Sequence, residues 1–515
     1  MIKIIKNCIS AFAAYFSANF IIPSSDHLAL ATENSSINIA WEAAPRTFDP
    51  RFALDANSQY IEELLHCSLL GFDASGQIRL DLAKELTWLN PLELKITIRD
   101  DKRFADNQIV SITDVITTYQ QFINGTSTKS PRAGAFRNLK EIRQTNLNEA
   151  LFVLFKPDAA FMQNLSIGIL SSKVASQENI DFLSYKGCGP LTLKTHSPSQ
   201  ITLEKNTSHE DYDVKNKSNI IIKFVKDETT TFAKLKKGEI DLVQSGISRD
   251  KLAIIAKDPQ FKILRAPGLS TTYLGFNMKD SILSKKSVRQ AIGYAIDRPK
   301  IMRYVLHDLA ILSQSILTPG DKYFSAPNNP LEYAPQKAEK LLDEAGLVKQ
   351  KNGYRFKLTY STTANATRII LAKAIAADLK KIGIEVVVKP LEWSRFKQNV
   401  DAGTVQLWSL SWVGFKDPDI LRYAFASESF PPAGANRGFF SNKFLDELLQ
   451  KGVATPEYVE RKNIYKQAQD LIYEELPYVF LWHEDVVAVT NSKIYDYNVY
   501  ADGRYRSLMT AKKRD

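Results

Sequence analysis

The sequence predicts an α/β protein with more than one domain, and three observations support this. At 515 residues the chain exceeds what one hydrophobic core normally covers, and 44% of its residues are apolar, enough for two or three cores. Residues 273–278 alternate as in a strand with two different faces, and residues 288–296 follow with the spacing of an amphipathic helix. Strand patterns at 354–360 and 384–388 flank a helical stretch at about 367–381, and such a β-α-β unit implies a parallel pair.

An export signal is predicted at residues 1–31. Lys3 and Lys6 give a positive start, residues 8–22 are largely apolar, and Ala29 and Ala31 supply small residues for signal peptidase. Cleavage is expected after Ala31. An uncleaved membrane anchor is the alternative, although the apolar run is shorter than a spanning helix needs. The mature chain is therefore expected to be exported and soluble.

Removal of the signal leaves two cysteines, Cys67 and Cys188. In an oxidising compartment they can pair, but two buried free thiols fit a protein of this size equally well. Neither cysteine has a Cys or His partner at metal-ligand spacing, so no metal site and no cofactor are expected.

The first half of the chain predicts alternating strands and helices. Ser111 and Asp114 have the form of a capping box before an apolar helical face. Gly238 is placed to stop a helix before the next strand. The predicted elements are a strand at 37–41, a helix within 60–70, a helix entry, an alternating strand and a turn over 82–107, and a helix then a strand over 232–242.

The second half continues this pattern. Asp297 is suited to cap a helix, with Pro299 tolerated in its first turn. The strand at 384–388 is expected to be buried, since nearly all its residues are apolar. The remaining predicted elements are a helix at 335–345 and a short strand-like segment at 486–490, preceded by closing segments at 444–450, 461–473 and 477–483.

The charge and the missing motifs exclude several classes of function. The formal net charge is +10, but Lys and Arg are spread along the chain, and no basic run is interleaved with aromatic residues as in nucleic-acid modules. The sequence has no Gly-x-Ser-x-Gly elbow, no His-Glu-x-x-His motif and no phosphate-binding loop. A nucleic-acid binder, a hydrolase, a zinc enzyme and an ATPase are therefore not expected, and we predict a protein that is not an enzyme.

Two segments of the second half resemble a known family. Residues 270–277 read Ser-Thr-Thr-Tyr-Leu-Gly-Phe-Asn, and residues 288–298 read Val-Arg-Gln-Ala-Ile-Gly-Tyr-Ala-Ile-Asp-Arg. They are similar to the signature region of bacterial extracellular solute-binding protein family 5, the large oligopeptide, dipeptide and nickel-type periplasmic receptors of ABC importers. Residues 82–107, 111–114 and 187–191 resemble further family motifs in the same order.

The resemblance implies a periplasmic binding protein-like type II fold, bilobal with an additional inserted domain. Lobes I and III are expected to form a cleft that closes on a hinge. The expected boundaries are 1–31 for the signal peptide, 32–72 and 188–268 for lobe I, 73–187 for the inserted lobe II, 269–487 for lobe III, and 488–515 for a return to lobe I and a tail.

The resemblance also implies a ligand-binding segment at 407–419. Gly414 allows close approach of an extended peptide, and Trp412 is suited to line a side-chain pocket. Peptide-binding relatives carry an acidic residue after this Gly that pairs with the peptide amine, but this chain has Phe415 and Lys416. Either Asp417 takes that role, or it only caps the following helix, or the ligand lacks a free amine.

Other ligand-binding candidates lie outside this loop. Arg368 occupies the place of an Arg that holds the ligand carboxylate in dipeptide-binding relatives, and a guanidinium fork suits that role, although an exposed helical Arg is the alternative. The further wall candidates outside the loop, each of which is alternatively a structural or surface residue, are Tyr273, Asn436 and Arg437. Within the segment 407–419, Trp408 is a ligand-binding candidate as well.

The function implied is a periplasmic substrate-binding receptor, most simply for peptides, that acts as a monomer and docks on ABC permease subunits in the inner membrane. Two alternatives remain open at this point: a receptor for a nickel chelate, haem, a sugar or an opine, and a periplasmic chaperone that binds extended chains.

Overall fold

The structure is a computed structural model that describes residues 36–124, 130–216, 218–413 and 417–514. The described chain forms three sheets of four or more strands with helices packed on them, so the predicted α/β class is confirmed. The predicted export signal at 1–31 lies outside the described residues.

The strands, in chain order, are β1 (Ile37–Trp41), β2 (Leu70–Phe72), β3 (Ile78–Leu80), β4 (Ala83–Asn90), β5 (Glu93–Ile98), β6 (Leu139–Asn146), β7 (Glu149–Leu154), β8 (Leu191–His196), β9 (Gln200–Lys205), β10 (Ile220–Phe224), β11 (Leu242–Gln244), β12 (Phe261–Ala266), β13 (Thr271–Phe276), β14 (Ala310–Leu312), β15 (Phe356–Thr363), β16 (Ile384–Leu391), β17 (Leu407–Trp412), β18 (Tyr478–Glu484), β19 (Val486–Asn491), β20 (Ile494–Tyr495) and β21 (Lys512–Lys513).

The α-helices, in chain order, are α1 (Ala56–Leu65), α2 (Ile112–Asn124), α3 (Ser172–Ala175), α4 (Glu228–Lys236), α5 (Arg249–Ile255), α6 (Lys286–Ala295), α7 (Arg298–Leu306), α8 (Pro335–Glu344), α9 (Ala366–Lys381), α10 (Trp393–Asp401), α11 (Ile420–Phe425), α12 (Lys443–Ala454) and α13 (Tyr458–Glu475).

Lobe I is built on a seven-stranded mixed sheet in the order β12-β19-β11-β1-β10-β9-β8. Its central strand β1 pairs in parallel with both β10 and β11. Ile37 and Ile39 of this strand are fully buried in a core that also takes Ile61 and Leu64 from α1. The hydrophobic run of β1 thus anchors the middle of the lobe.

Lobe II is an antiparallel sheet in the order β4-β5-β7-β6, with α2 packed against it. The predicted capping box at the start of α2 is confirmed. The Ser111 backbone N–H donates to the Asp114 carboxylate at 2.8 Å, and the Asp114 N–H donates to the Ser111 hydroxyl at 3.4 Å. These bonds satisfy N–H groups that a helix start leaves unpaired.

Lobe III is a six-stranded sheet in the order β14-β18-β13-β17-β15-β16. Its two faces bury separate cores, one formed with α6 to α9 and the other with α11 to α13. The predicted parallel pair is confirmed in β15 and β16. Asp297 caps α7 as predicted, because its side chain accepts a bond from the Lys300 N–H.

The chain crosses between lobes I and III twice in the described residues. Residues 267–270 connect β12 of lobe I to β13 of lobe III, and Asp485 alone separates β18 of lobe III from β19 of lobe I. The return to lobe I therefore begins at Val486, two residues before the expected position.

A disulfide joins Cys67 and Cys188, which decides between the two alternatives left open by the sequence. Both residues belong to the buried core of lobe II, at the points where the chain leaves lobe I and comes back to it. The bridge therefore ties the two ends of the inserted lobe together.

Two element predictions were wrong. Residues 83–86 begin strand β4 and are not a helix entry, because they pair with β5, and sheet pairing overrides a local helix preference. The strand at 384–388, predicted to be buried, is part of β16 at the edge of its sheet, where Val387 is 41% exposed.

Among the helices that the structure describes, none combines the length and the apolar character needed to cross a membrane.

Reducing the disulfide should lower the free energy of unfolding by about 5 kcal/mol, since the bridge closes a loop with a sequence separation of 121 residues in the unfolded chain. Urea unfolding of the oxidised protein, the reduced protein and the Cys67→Ser/Cys188→Ser variant measures this. The double variant should be insensitive to reductant. Equal midpoints for all three samples would contradict the expectation.

Acidification should destabilise lobe III through His483. This residue is fully buried on β18, its Nδ1 lies 2.9 Å from the Thr271 hydroxyl, and burial lowers its pKa to about 4. The unfolded chain, with a pKa near 6.5, binds the proton first, so stability is complete above pH 6.5 and is lost as the pH falls to 4, by about 3 kcal/mol. Over this range a His483→Gln variant should show a shallower dependence of unfolding free energy on pH, and identical slopes would refute the assignment.

Candidate functional site

A solvent-filled cleft separates lobes I and III beside the two crossings. One cavity of about 620 Å³ is lined by Ser248 and Arg249 of lobe I, by Arg368 and Ser411 of lobe III, and by the crossing segment 484–487. Both lobes and the crossing segment thus contribute to a single space, the usual location of a ligand site in a two-lobed protein.

The lobe I wall of the cleft carries an aromatic group that the sequence analysis did not single out. A cavity of about 580 Å³ is lined by Trp41, Tyr60 and Tyr505, and it shares Ser245 and Ser248 with the first cavity. The three rings contact one another, with centroids 5.2 to 6.0 Å apart. Tyr505 arrives from the C-terminal tail, so no local sequence pattern links it to Trp41.

The floor of the cleft is a chain of hydrogen bonds that runs from lobe I to lobe III. The Arg249 guanidinium donates to Glu484 Oε2 at 2.8 Å, and the Thr272 hydroxyl donates to Glu484 Oε1 at 3.3 Å. The Thr272 and Ser411 hydroxyls lie 2.8 Å apart, and Arg368 Nη2 donates to Ser411 at 3.3 Å. We call these five side chains the cleft floor.

Arg368 is the predicted site residue that the structure places on the cleft. It lies in the first turn of α9, whose N-cap Asn365 accepts a bond from the Arg368 N–H. Among the described residues its side chain forms no ion pair, only the bond to Ser411. A half-buried guanidinium beside a helix N-terminus is a favourable place for an anionic group.

Trp412 and Tyr273 lie together in the core of lobe III. Tyr273 is fully buried, with its ring centroid 4.0 Å from Tyr478 and 5.9 Å from Trp412. Trp412 is 6% exposed, and the Arg437 guanidinium lies 5.6 Å from its ring centroid. The three rings form a stack beneath the lobe III side of the cleft.

Trp408 packs inside lobe III. It is fully buried with Phe396 and Val400, and its indole covers Gly275 so closely that a Cβ there would lie 2.5 Å from the ring. Gly275 thus lets two strands of the sheet share this bulky side chain.

The polar atoms of Asn436 and Arg437 are already engaged within lobe III. The Asn436 amide donates to the carbonyl oxygens of Phe425, Ala426 and Phe440 at 2.8 to 3.0 Å. Arg437 Nε donates to Asp401 at 2.8 Å. These bonds fold the loop at 426–440 onto the lobe.

Asp417 forms a buried bidentate ion pair with Arg461. The two contacts are 2.8 and 3.0 Å long, and both side chains are less than a tenth exposed. Burial lowers the pKa of Arg461, but the Asp417 carboxylate opposes this and raises it overall. Asp417 also accepts a bond from the Asp419 N–H, so it fixes the start of the segment that leads into α11. Gly414, Phe415 and Lys416 lie outside the described residues.

Sequence reasoning missed the acidic member of the cleft floor. Glu484 and its neighbour Asp485 interrupt an otherwise apolar segment from 477 to 490. Two successive charges between the predicted segments 477–483 and 486–490 are the signal that marks this point as a crossing rather than a core position. In the part of the chain that the structure describes, no cluster of three His, Cys, Asp or Glu side chains is arranged to hold a metal ion.

Comparison with known proteins identifies one family. Residues 77–430 match the family described as Bacterial extracellular solute-binding proteins, family 5 Middle. The dipeptide-binding protein of Escherichia coli (strain K12) is 23% identical, with 79% of each chain covered. The oligopeptide-binding protein AppA of Bacillus subtilis (strain 168) is 28% identical, with 85% of this chain and 84% of the relative covered.

A solved structure gives the same result. NikZ from Campylobacter jejuni in complex with Ni(L-His) superposes with a TM-score of 0.73 at 26% identity, covering 93% of this chain and all of that chain. The relatives named here are binding proteins, and the fold is the predicted periplasmic binding protein-like type II fold with an inserted lobe. The chain belongs to the bacterial extracellular solute-binding proteins of family 5.

Proposed function

We propose that the protein is the periplasmic substrate-binding receptor of an ABC importer and that it takes peptides into the cleft between lobes I and III. Closure of the two lobes buries the cargo, and the closed form docks as a monomer on permease subunits in the inner membrane. The Cys67–Cys188 disulfide supports export, because such bridges persist in oxidising compartments.

The observation that carries this proposal is the cleft between two separately cored sheets. Lobes I and III each have their own hydrophobic cores, and the described chain passes between them only at 267–270 and at Asp485. A rotation about these two short connections changes few backbone angles and leaves both cores intact.

Arg368 supports a cargo with a carboxylate. Its guanidinium faces the cleft without a carboxylate partner among the described residues, so a ligand carboxylate gains a charge-assisted bond there at little cost to the protein. The names of the relatives include binders of dipeptides, oligopeptides and a nickel–histidine complex. The terminal carboxylate of a peptide can pair with Arg368, and a short peptide fits a cavity of about 620 Å³.

The cargo carried by the protein from its own periplasm tests the receptor function. Native mass spectrometry of the purified mature protein should show one small ligand bound per chain, and denaturation should release it for weighing. Small-angle X-ray scattering should show contraction when this ligand is added back to the stripped protein. Binding of many unfolded chains without contraction would instead identify a chaperone, and a released nickel chelate, haem, sugar or opine would overturn the peptide assignment.

The Arg368→Gln variant should bind a carboxylate-bearing cargo roughly 10- to 100-fold more weakly, the loss expected for one hydrogen bond to a charged group. Its melting temperature should stay unchanged, since Arg368 has one long bond within the protein. Lys373→Gln is the matched control, because Lys373 is exposed on the same helix and away from the two cleft cavities. Calorimetric titration compares the three proteins, and equal affinities would remove Arg368 from the site.

The Asp417→Asn variant should lower the free energy of unfolding by about 3 to 5 kcal/mol, because it leaves Arg461 buried without an opposite charge. Asp419→Asn is the comparison, since the partner of Asp419, Arg422, is 33% exposed and water can solvate it. Denaturant unfolding should therefore show a much smaller loss for Asp419→Asn, and equal losses would refute the structural role of Asp417.

A further inference from the structure

We infer that Glu484 is the anchor for the α-amino group of the cargo, and that the receptor selects short zwitterionic peptides held between Glu484 and Arg368. This inference rests on the proposed receptor function. It adds the residue that binds the positive charge of the cargo, beside Arg368 for the negative one.

The segment 407–419 offers no unpaired carboxylate for an amine, since both oxygens of its Asp419 accept from Arg422 at 2.8 Å. Its positions 415 and 416 are Phe and Lys. Both oxygens of Asp417 face the Arg461 guanidinium at 2.8 and 3.0 Å, inside a buried pair. Removing Asp417 from Arg461 to serve a ligand costs more than the ligand contact returns, because an unpaired buried guanidinium is strongly unfavourable.

Among the described acidic residues that line the two cavities, Glu484 is the one suited to the task. The Asp485 side chain is 3% exposed and pairs with Arg265 at 3.3 Å. Glu228 is held by the Ser248 N–H at 2.8 Å and by Lys251 at 3.0 Å. The other two, Glu42 and Asp250, are exposed and take no part in the cleft floor.

The Glu484 carboxylate is accessible from the cleft, and among the described residues only one of its two oxygens is paired with a charged group. Its side chain is 38% exposed, Oε2 accepts from Arg249, and Oε1 accepts a 3.3 Å bond from the neutral Thr272 hydroxyl. A carboxylate oxygen with one long bond from a neutral donor gains a shorter, charge-assisted bond when an ammonium approaches. Glu484 therefore has a free position for a cationic group.

The distance between the two charges indicates the length of the cargo. Three hydrogen bonds of 3.3 Å or shorter connect Glu484 to Arg368 through Thr272 and Ser411. The anionic and cationic atoms thus lie within about 10 Å of each other, which is the reach of two or three extended residues. Of the two hydroxyl groups between them, that of Ser411 lines the cavity, whereas Thr272 is buried beneath it.

Arg249 pairs with Glu484 at 2.8 Å and offsets its charge. It lies on α5 of lobe I, whereas Glu484 ends strand β18 of lobe III. A cargo ammonium competes with this guanidinium for the same carboxylate. Loss of Arg249 therefore has the opposite effect on amine binding from loss of Glu484, and this difference separates an amine anchor from an ordinary ion pair.

Three peptide pools test the inference on the mature protein after its own cargo has been removed. They are an equimolar pool of unmodified dipeptides and tripeptides, the same pool N-acetylated, and the same pool C-amidated. Native mass spectrometry identifies the peptides retained by the wild type, Glu484→Gln and Arg249→Gln, and calorimetry measures the affinity for each retained peptide.

The wild type should prefer the free amine over the N-acetyl form by roughly 10- to 100-fold. Glu484→Gln should lose this preference, whereas Arg249→Gln should bind unmodified peptides more tightly. Equal weakening by the two substitutions would identify a merely structural pair and overturn the inference, as would an intact preference in Glu484→Gln. The Arg249→Gln result decides the matter even if Glu484→Gln folds poorly.

The receptor function fails separately from this inference. If the stripped wild type contracts with a cargo that has no amine, the receptor function stands and the role of Glu484 is refuted. If it neither retains a peptide nor contracts with any cargo from the periplasm, the receptor function itself is refuted, and the inference with it.

Discussion

A single residue, Asp485, separates the last strand of the lobe III sheet from a strand of the lobe I sheet, and this short crossing fixes how far the two lobes can lie apart. Strands β18 and β19 are consecutive in sequence, but they belong to sheets of different lobes. With the second crossing at 267–270, this arrangement holds two independent cores side by side while leaving a cleft between them. Because the hinge is the end of a core strand, a side chain there is fixed by one lobe and faces the other. Glu484 occupies that position.

The charged groups of lobe III and of the cleft floor divide into two kinds, and this division supports the proposed site. Inside lobe III, Asp417 is matched by Arg461 and Arg437 by Asp401, so these groups are satisfied without a ligand. On the cleft floor, Arg368 meets only a hydroxyl. A buried charge is strongly unfavourable without an opposite charge beside it, whereas a charge that contacts water is solvated and can remain unpaired until a ligand binds. The proposed cargo contacts therefore lie on the floor and not in the core of the lobe.

The sequence predicted the elements better than the site. Period-2 and helical patterns were sufficient for β13, α6 and the β15-α9-β16 unit, because each pattern reports which face of an element is buried. The same patterns could not show that β16 lies at a sheet edge, since edge position depends on distant pairing. Arg368 was predicted through the resemblance, because it occupies the place of a carboxylate-binding Arg in dipeptide-binding relatives. Tyr505 and Glu484 were missed because their contacts with residues more than 200 positions away have no local trace.

The departure of this chain from its peptide-binding relatives at residues 415 and 416 has a physical consequence beyond the loss of one carboxylate. In relatives with an acidic residue on this loop of lobe III, the peptide amine binds to a group that is not part of the crossing between the lobes. Glu484 instead shares its carboxylate with Arg249 of lobe I, so an amine that binds there alters a contact between the lobes. An amine bound to Glu484 weakens its contact with Arg249, and this contact joins the two lobes. Binding of the amine therefore shifts the equilibrium between open and closed forms. A receptor built this way ties recognition of the amine to closure.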